Sequence, residues 1–157
     1  KFIHKGYYDH MEESHELLAF YGNEKIWDIL AENPRNRVVV FGEQPEMLRF
    51  PCSTQSYTDI EGSGGNCNLS SSPEALGDFF TFAGVDYIYL GSGYLKPGTD
   101  GFRNVTGLLK QGYLMDLLYE NGNGLAVFSS DPKNLTEEES EALLAEFTEK
   151  YWPGEQQ

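Results

Sequence analysis

The chain has 157 residues, enough for one domain that buries about two thirds of the surface its unfolded form exposes, so a core needs no metal or disulfide scaffold. Hydrophobic residues make up 39% and aromatic ones 14%, spread along the whole length, which excludes a disordered polyelectrolyte. Twenty-five acidic residues against 11 basic ones leave a net charge of −14, which excludes nucleic acid as a partner because phosphate contacts need clustered Lys and Arg.

Two helices are expected first. Met11 to Phe20 carries Leu17, Leu18 and Phe20 among Glu and His, and Lys25 to Ala31 carries Ile26, Trp27, Ile29 and Leu30, with a break near Gly22-Asn23. Asn33-Pro34 stops the second helix, since a residue before proline avoids the α region. Val38 to Phe41 then reads as a strand buried on both faces. Gly42-Glu43-Gln44-Pro45 leads into a brief turn over Met47, Leu48 and Phe50, and Pro51 to Thr58 reads as a polar strand near a sheet edge. Asp59 to Ser72, rich in Gly, Asn and Ser, is expected to be a long loop.

Ser72-Pro73-Glu74 opens a helix, with serine as cap, proline in the first turn and glutamate at the positive end of the dipole, and Gly84 closes it. Tyr87 to Leu90 is the next strand, followed by a flexible loop over Gly91 to Gly101. Helical spacing resumes through Leu108, Leu109, Tyr113, Leu114, Leu117 and Leu118, and Gly122-Asn123-Gly124 stops it before a last strand, Leu125 to Ser129. A final helix follows Asp131-Pro132, with Leu143, Leu144, Phe147 and Trp152 turned inward.

These elements predict an α/β fold: a small Rossmann-like three-layer sandwich with a mostly parallel sheet of about four strands and an N-terminal helical segment. The expected organisation is a single domain over 1–157, with a helical lead-in over 1–33 and an α/β core over 34–152. If the strands are parallel, their carboxyl ends share one crevice, and the candidate binding residues there are Glu43, Gln44, Asp59, Ser92, Tyr94, Asp100, Arg103 and Asp131. Carboxylates beside tyrosine suit hydroxyl-rich ligands such as sugars, although polar loops of this kind also occur where nothing binds.

Motifs for other chemistry are weak. Gly62-Ser63-Gly64-Gly65 lacks the Lys-Ser/Thr of a phosphate loop, and Gly91-Ser92-Gly93 lacks the rest of a dinucleotide fingerprint, so no cofactor is expected. No Gly-x-Ser-x-Gly elbow occurs, and His4, His10 and His15 all lie in the first fifteen residues, so no catalytic residue and no metal site is assigned. Cys52 and Cys67 form either a disulfide that would pin the Gly-rich loop or two unrelated thiols. Asn68, Asn104 and Asn134 head Asn-x-Ser/Thr triplets, which arise often by chance, and Asn134 more simply belongs to a helix start.

Asn36-Arg37-Val38-Val39-Val40, Phe50-Pro51-Cys52 leading to Ser56-Tyr57-Thr58-Asp59, and Gly84-Val85-Asp86-Tyr87-Ile88-Tyr89-Leu90 together resemble the soluble tail of bacterial polytopic membrane glycosyltransferases related to the dolichyl-phosphate-mannose protein mannosyltransferases. The similarity covers roughly Ile26 to Ser130. It implies a non-catalytic extracytoplasmic domain of an integral membrane protein, attached to a membrane region upstream of Lys1, with a crevice that touches glycan or acceptor. The chain itself shows no run of roughly 20 apolar residues, and its start at Lys1 without Met fits a fragment of something longer. Two other readings stay open: a freestanding α/β enzyme acting on a polar metabolite through Glu43 or Asp59, and an acidic module that binds a basic protein through an exposed apolar patch.

Overall fold

A computed structural model describes residues 24–42, 50–57 and 70–153. In chain order the elements are α1 (Glu24–Ala31), β1 (Arg37–Phe41), β2 (Ser53–Ser56), α2 (Pro73–Ala83), β3 (Tyr87–Leu90), α3 (Asp100–Lys110), β4 (Leu114–Glu120), β5 (Asn123–Phe128) and α4 (Glu137–Tyr151). The strands form one sheet in the order β2-β1-β3-β5-β4. β2, β1 and β3 are parallel, whereas β5 runs against both β3 and β4.

Sequence reasoning for β1 and β3 holds because both faces of the sheet are covered. Val39, Phe41, Ile88 and Leu90 point into a large core with α2, α3 and α4, through Leu76 and Phe80, Val105 and Leu108, and Phe147 and Tyr151. The alternate side chains, Val38, Val40 and Tyr89, meet Ile26 and Leu30 of α1 on the other face. A strand buried on both sides needs apolar residues at every position, and each such side chain contributes about 1.5–3 kcal/mol of burial. The polar β2 sits at the sheet edge, as its Ser-Thr-Gln-Ser composition suggests.

The mostly parallel sheet of four strands is corrected to a mixed sheet of five. The added strand is β4, which the Leu114, Leu117 and Leu118 spacing had suggested was helix. Met115 pairs with Val127 and Leu118 with Leu125, so two residues, Asp116 and Leu117, face the single Ala126 in a β-bulge. That extra residue changes the strand's phase. Leu114, Leu117 and Tyr119 all join the large core, while Leu118 joins the small one. A bulged strand therefore imitates the three-and-four spacing of a helix. The true helix, α3, lies one stretch earlier, beginning within the segment expected to be loop, where Thr99 caps it by accepting from Phe102 N at 3.3 Å.

β5 is antiparallel because a two-residue turn joins it to β4. Asn121 and Gly122 have φ of +52° and +78°, the pair of left-handed conformations of a type I′ hairpin turn. The remaining caps follow the sequence: Ser72 Oγ accepts from Ala75 N at 3.1 Å, Gly84 closes α2 with φ +66°, and Thr136 and Glu139 form a reciprocal capping box on α4. Glu120, at the end of β4, caps α1 across the sheet by accepting from Lys25 N at 3.1 Å. The expected helix over Met11 to Phe20, the turn over Met47 and Leu48, and most of the loop over Asp59 to Ser72 lie outside the described residues. No described helix is long and apolar enough to cross a membrane.

Candidate functional site

The strand order creates a topological switch point. From β1 the chain goes to one neighbour, β2, and then returns to the other side as β3, so the connections that leave β1 and β3 set off on opposite sides of this point. In open α/β sheets such a crevice is where ligands bind. Here it is bordered by Gly42 after β1 and by the Gly91-to-Thr99 loop after β3.

That loop is held firmly. Gly91 N donates to Phe41 O at 2.7 Å, tying the ends of the two strands. The Tyr151 hydroxyl donates to Gly91 O and accepts from Leu95 N at 3.2 Å, so the end of α4 anchors the loop from below. Ser92 N donates to Asn123 Oδ1 at 2.7 Å, which ties the loop to the β4–β5 hairpin as well. Leu95 is buried beneath, and Thr99 turns the chain into α3, whose amino end points to the same rim.

Four of the eight candidate residues lie in the segment that follows β3, Ser92 and Tyr94 on the loop and Asp100 and Arg103 on α3. Ser92 is exposed, Tyr94 is half-buried, and Asp100 and Arg103 form an exposed ion pair at 3.2 Å on the first turn of α3. A hydroxyl, an aromatic face, a carboxylate and a guanidinium are the groups that hydrogen-bond and stack on a polyhydroxylated ligand. Asp131 does not join them. Because β5 is antiparallel, its carboxyl end lies at the opposite end of the sheet, so the shared exit expected for all three central strands is corrected to two. Glu43, Gln44 and Asp59 lie outside the described residues, as does Cys67 and with it the proposed disulfide.

Next to this segment lies a buried polar cluster, of which the sequence marked Asn104 only as the head of an Asn-x-Thr triplet. Asn104 is fully buried on α3, and its Nδ2 donates to the Tyr57 hydroxyl at 3.1 Å and to Ser70 O at 3.0 Å. Its burial removes it as a glycan acceptor and makes it a clamp between α3 and the segments before α2. Tyr57 in turn stacks on Phe41 with ring centroids 4.3 Å apart.

At the other end of the sheet Asn36, Arg37 and Asp86 act structurally. Arg37 N donates to Asp86 Oδ2 at 2.9 Å, Asp86 N donates to Arg37 O at 2.9 Å, and Phe128 N donates to Asp86 O at 2.9 Å. Arg37 Nη1 also donates to Ala83 O at 2.6 Å, and Asn36 Nδ2 donates to Leu30 O at 3.3 Å. Asp86 thus registers β3 against both neighbours. Cys52, immediately before β2, is half-buried, and its thiol is pushed up to about 11, first by burial and then by the charge of Asp86.

Among the described residues no three His, Cys, Asp or Glu side chains group to hold a metal ion. Comparison with protein-family models, with curated proteins and with solved structures finds no match to this chain.

Proposed function

We propose that this chain is an accessory binding domain that contacts glycan or a glycan acceptor at the β1–β3 crevice, within a Rossmann-like half-sheet formed by β2, β1 and β3. The observation that carries this reading is the firm fastening, to two strands and a helix, of the loop that bears Ser92 and Tyr94 and leads into the Asp100–Arg103 pair of α3. A preorganised polar rim with one aromatic face fits a hydroxyl-rich ligand better than an apolar metabolite. In the fuller form of the proposal the domain stands on the extracytoplasmic face of a bacterial membrane, joined to a lipid-linked sugar transferase whose embedded part lies upstream of Lys1. The adjacency of the two resembling strands, β1 and β3, locked through Arg37 and Asp86, supports this form.

The ligand is tested by titrating neutral oligosaccharides into the isotope-labelled protein. Amide shifts confined to Ser92, Tyr94 and Asp100, and lost in Tyr94→Ala, are expected; the absence of shifts at millimolar sugar would sink the crevice reading. The attachment is tested separately by the full reading frame, which is expected to encode apolar spans before Lys1. A start codon immediately upstream of Lys1 would refute it.

A further inference from the structure

We propose that the cavity between β1, β2 and the end of α2 binds a small organic monocarboxylate, its charged head on Arg37 and its apolar body along Val39 and Val85. The site lies at the amino ends of the parallel strands, away from the β1–β3 crevice, and does not depend on it. The cavity measures about 350 Å³, enough for a small ligand, and Ser53 and Gln55 of β2 and Ala83 of α2 share its lining with them.

The strand register makes this a converging face. Arg37 stands beside Ser53 and Val39 beside Gln55, and alternate residues along each strand point to one side of the sheet. That side is the one covered by α2: Val39 belongs to the core that holds Leu76 and Phe80, and Arg37 Nη1 donates to Ala83 O at 2.6 Å. Ala83 O is among the last carbonyls of α2, the negative end of the helix dipole, so one donor of the guanidinium is fixed there and orients the rest. Among the described residues the other guanidinium N–H groups, the Ser53 hydroxyl and the Gln55 carboxamide have no hydrogen-bond or ion-pair partner.

Charge selects the ligand. Among the described residues Arg37 is the one ionised group that lines the cavity, a single positive charge in a molecule of −14. The carboxylate of Asp86 accepts from Arg37 N at 2.9 Å and makes no ion pair with the guanidinium. A guanidinium fork matches the plane of one carboxylate, and the hydroxyl and carboxamide beside it can donate to the remaining lone pairs. A cation would be repelled by Arg37, and a phosphate dianion would keep one negative charge unmatched in the field of the acidic chain. A bare inorganic anion would also leave the wall of Val39, Ala83 and Val85 unused, whereas the chain of an organic acid covers it.

The probe is sodium pentanoate, titrated into the isotope-labelled protein at constant ionic strength, with pentylamine hydrochloride and inorganic phosphate as controls. Amide shifts are expected at Arg37, Ser53, Gln55 and Val85, with both controls at least about tenfold weaker, because one reverses the charge and the other has no apolar body. Arg37→Lys keeps the charge and loses the fork, so binding should weaken about threefold to tenfold. Gln55→Glu sets a competing carboxylate on the same face; Gln55 is exposed and its side chain bonds to nothing among the described residues, so this variant should keep the parent's Tm and bind at least about tenfold more weakly. The absence of shifts at tens of millimolar pentanoate, or unchanged binding in Gln55→Glu, would overturn the site. Equal shifts with phosphate would overturn the organic carboxylate as its ligand.

Discussion

Gly107 lies where α3 crosses the start of α2, and a Cβ there would stand 2.2 Å from Pro73 Cγ and 2.6 Å from Pro73 Cβ. Two effects compete in Gly107→Ala: helix propensity favours alanine by about 1 kcal/mol, while a rigid proline ring cannot give way. The clash wins, and the variant is expected to lose about 1–3 kcal/mol, read as a lower Tm. An unchanged Tm would show that the two helices can separate freely. Cys52 carries a pH signature. Its folded thiol is held at about 11 against an ordinary 9.0. The unfolded chain therefore releases this proton first, so the contribution is intact below about pH 9 and is lost as pH rises towards about 11. Mass mapping of the reduced protein at pH 8 should find Cys52 alkylated at least about tenfold more slowly than a short peptide thiol, since only the thiolate reacts. Equal rates would show that the sulfur is not shielded.

At the scale of elements, the β4–β5 hairpin shows what the sequence does and does not reveal. Ser72-Pro73, Gly84 and the doubly buried runs of β1 and β3 were legible because their chemistry is local: a cap, a left-handed stop, an unbroken apolar stretch. β4 was not, because its bulge is a property of pairing with β5 and leaves a helical spacing behind. Yet Asn121-Gly122 was a readable hairpin signal that Gly122-Asn123-Gly124, taken as a helix stop, concealed. The placement of Ser92, Tyr94, Asp100 and Arg103 after β3 was legible because they follow one strand locally, whereas the position of Asp131 depended on the direction of β5. Gly122→Ala is expected to cost about 1–2 kcal/mol through its left-handed φ, with a lower urea midpoint. Its Cβ would also stand 2.8 Å from Ser92 Oγ, so the Ser92 amide should shift with it. A midpoint equal to that of the parent protein would show that the turn tolerates another type.

Across the whole molecule, the excess of acid acts against compactness. A charge of −14 on a domain with only two ion pairs among its described residues repels itself, and salt relieves that repulsion. Raising NaCl from about 10 mM to about 150 mM shortens the screening length from about 30 to about 8 Å, and Tm should rise by about 2–4 °C, the equivalent of about 1 kcal/mol at this size. A fall in Tm would mean that attractive pairs outweigh the repulsion.

β3 has a neighbour of each orientation, and this divides the routes by which the chain can assemble. β5 and β4 close over a two-residue turn, a microsecond event that costs little chain entropy, whereas β1 and β3 must find each other across the 45 residues between Phe41 and Tyr87. Refolding should then begin at the hairpin and finish at the parallel pair, with hydrogen-exchange labels trapped last on Val39 and Phe41, the residues of β1 that face β3. The crevice, whose two lips belong to that late pair, would be the final feature to acquire its shape.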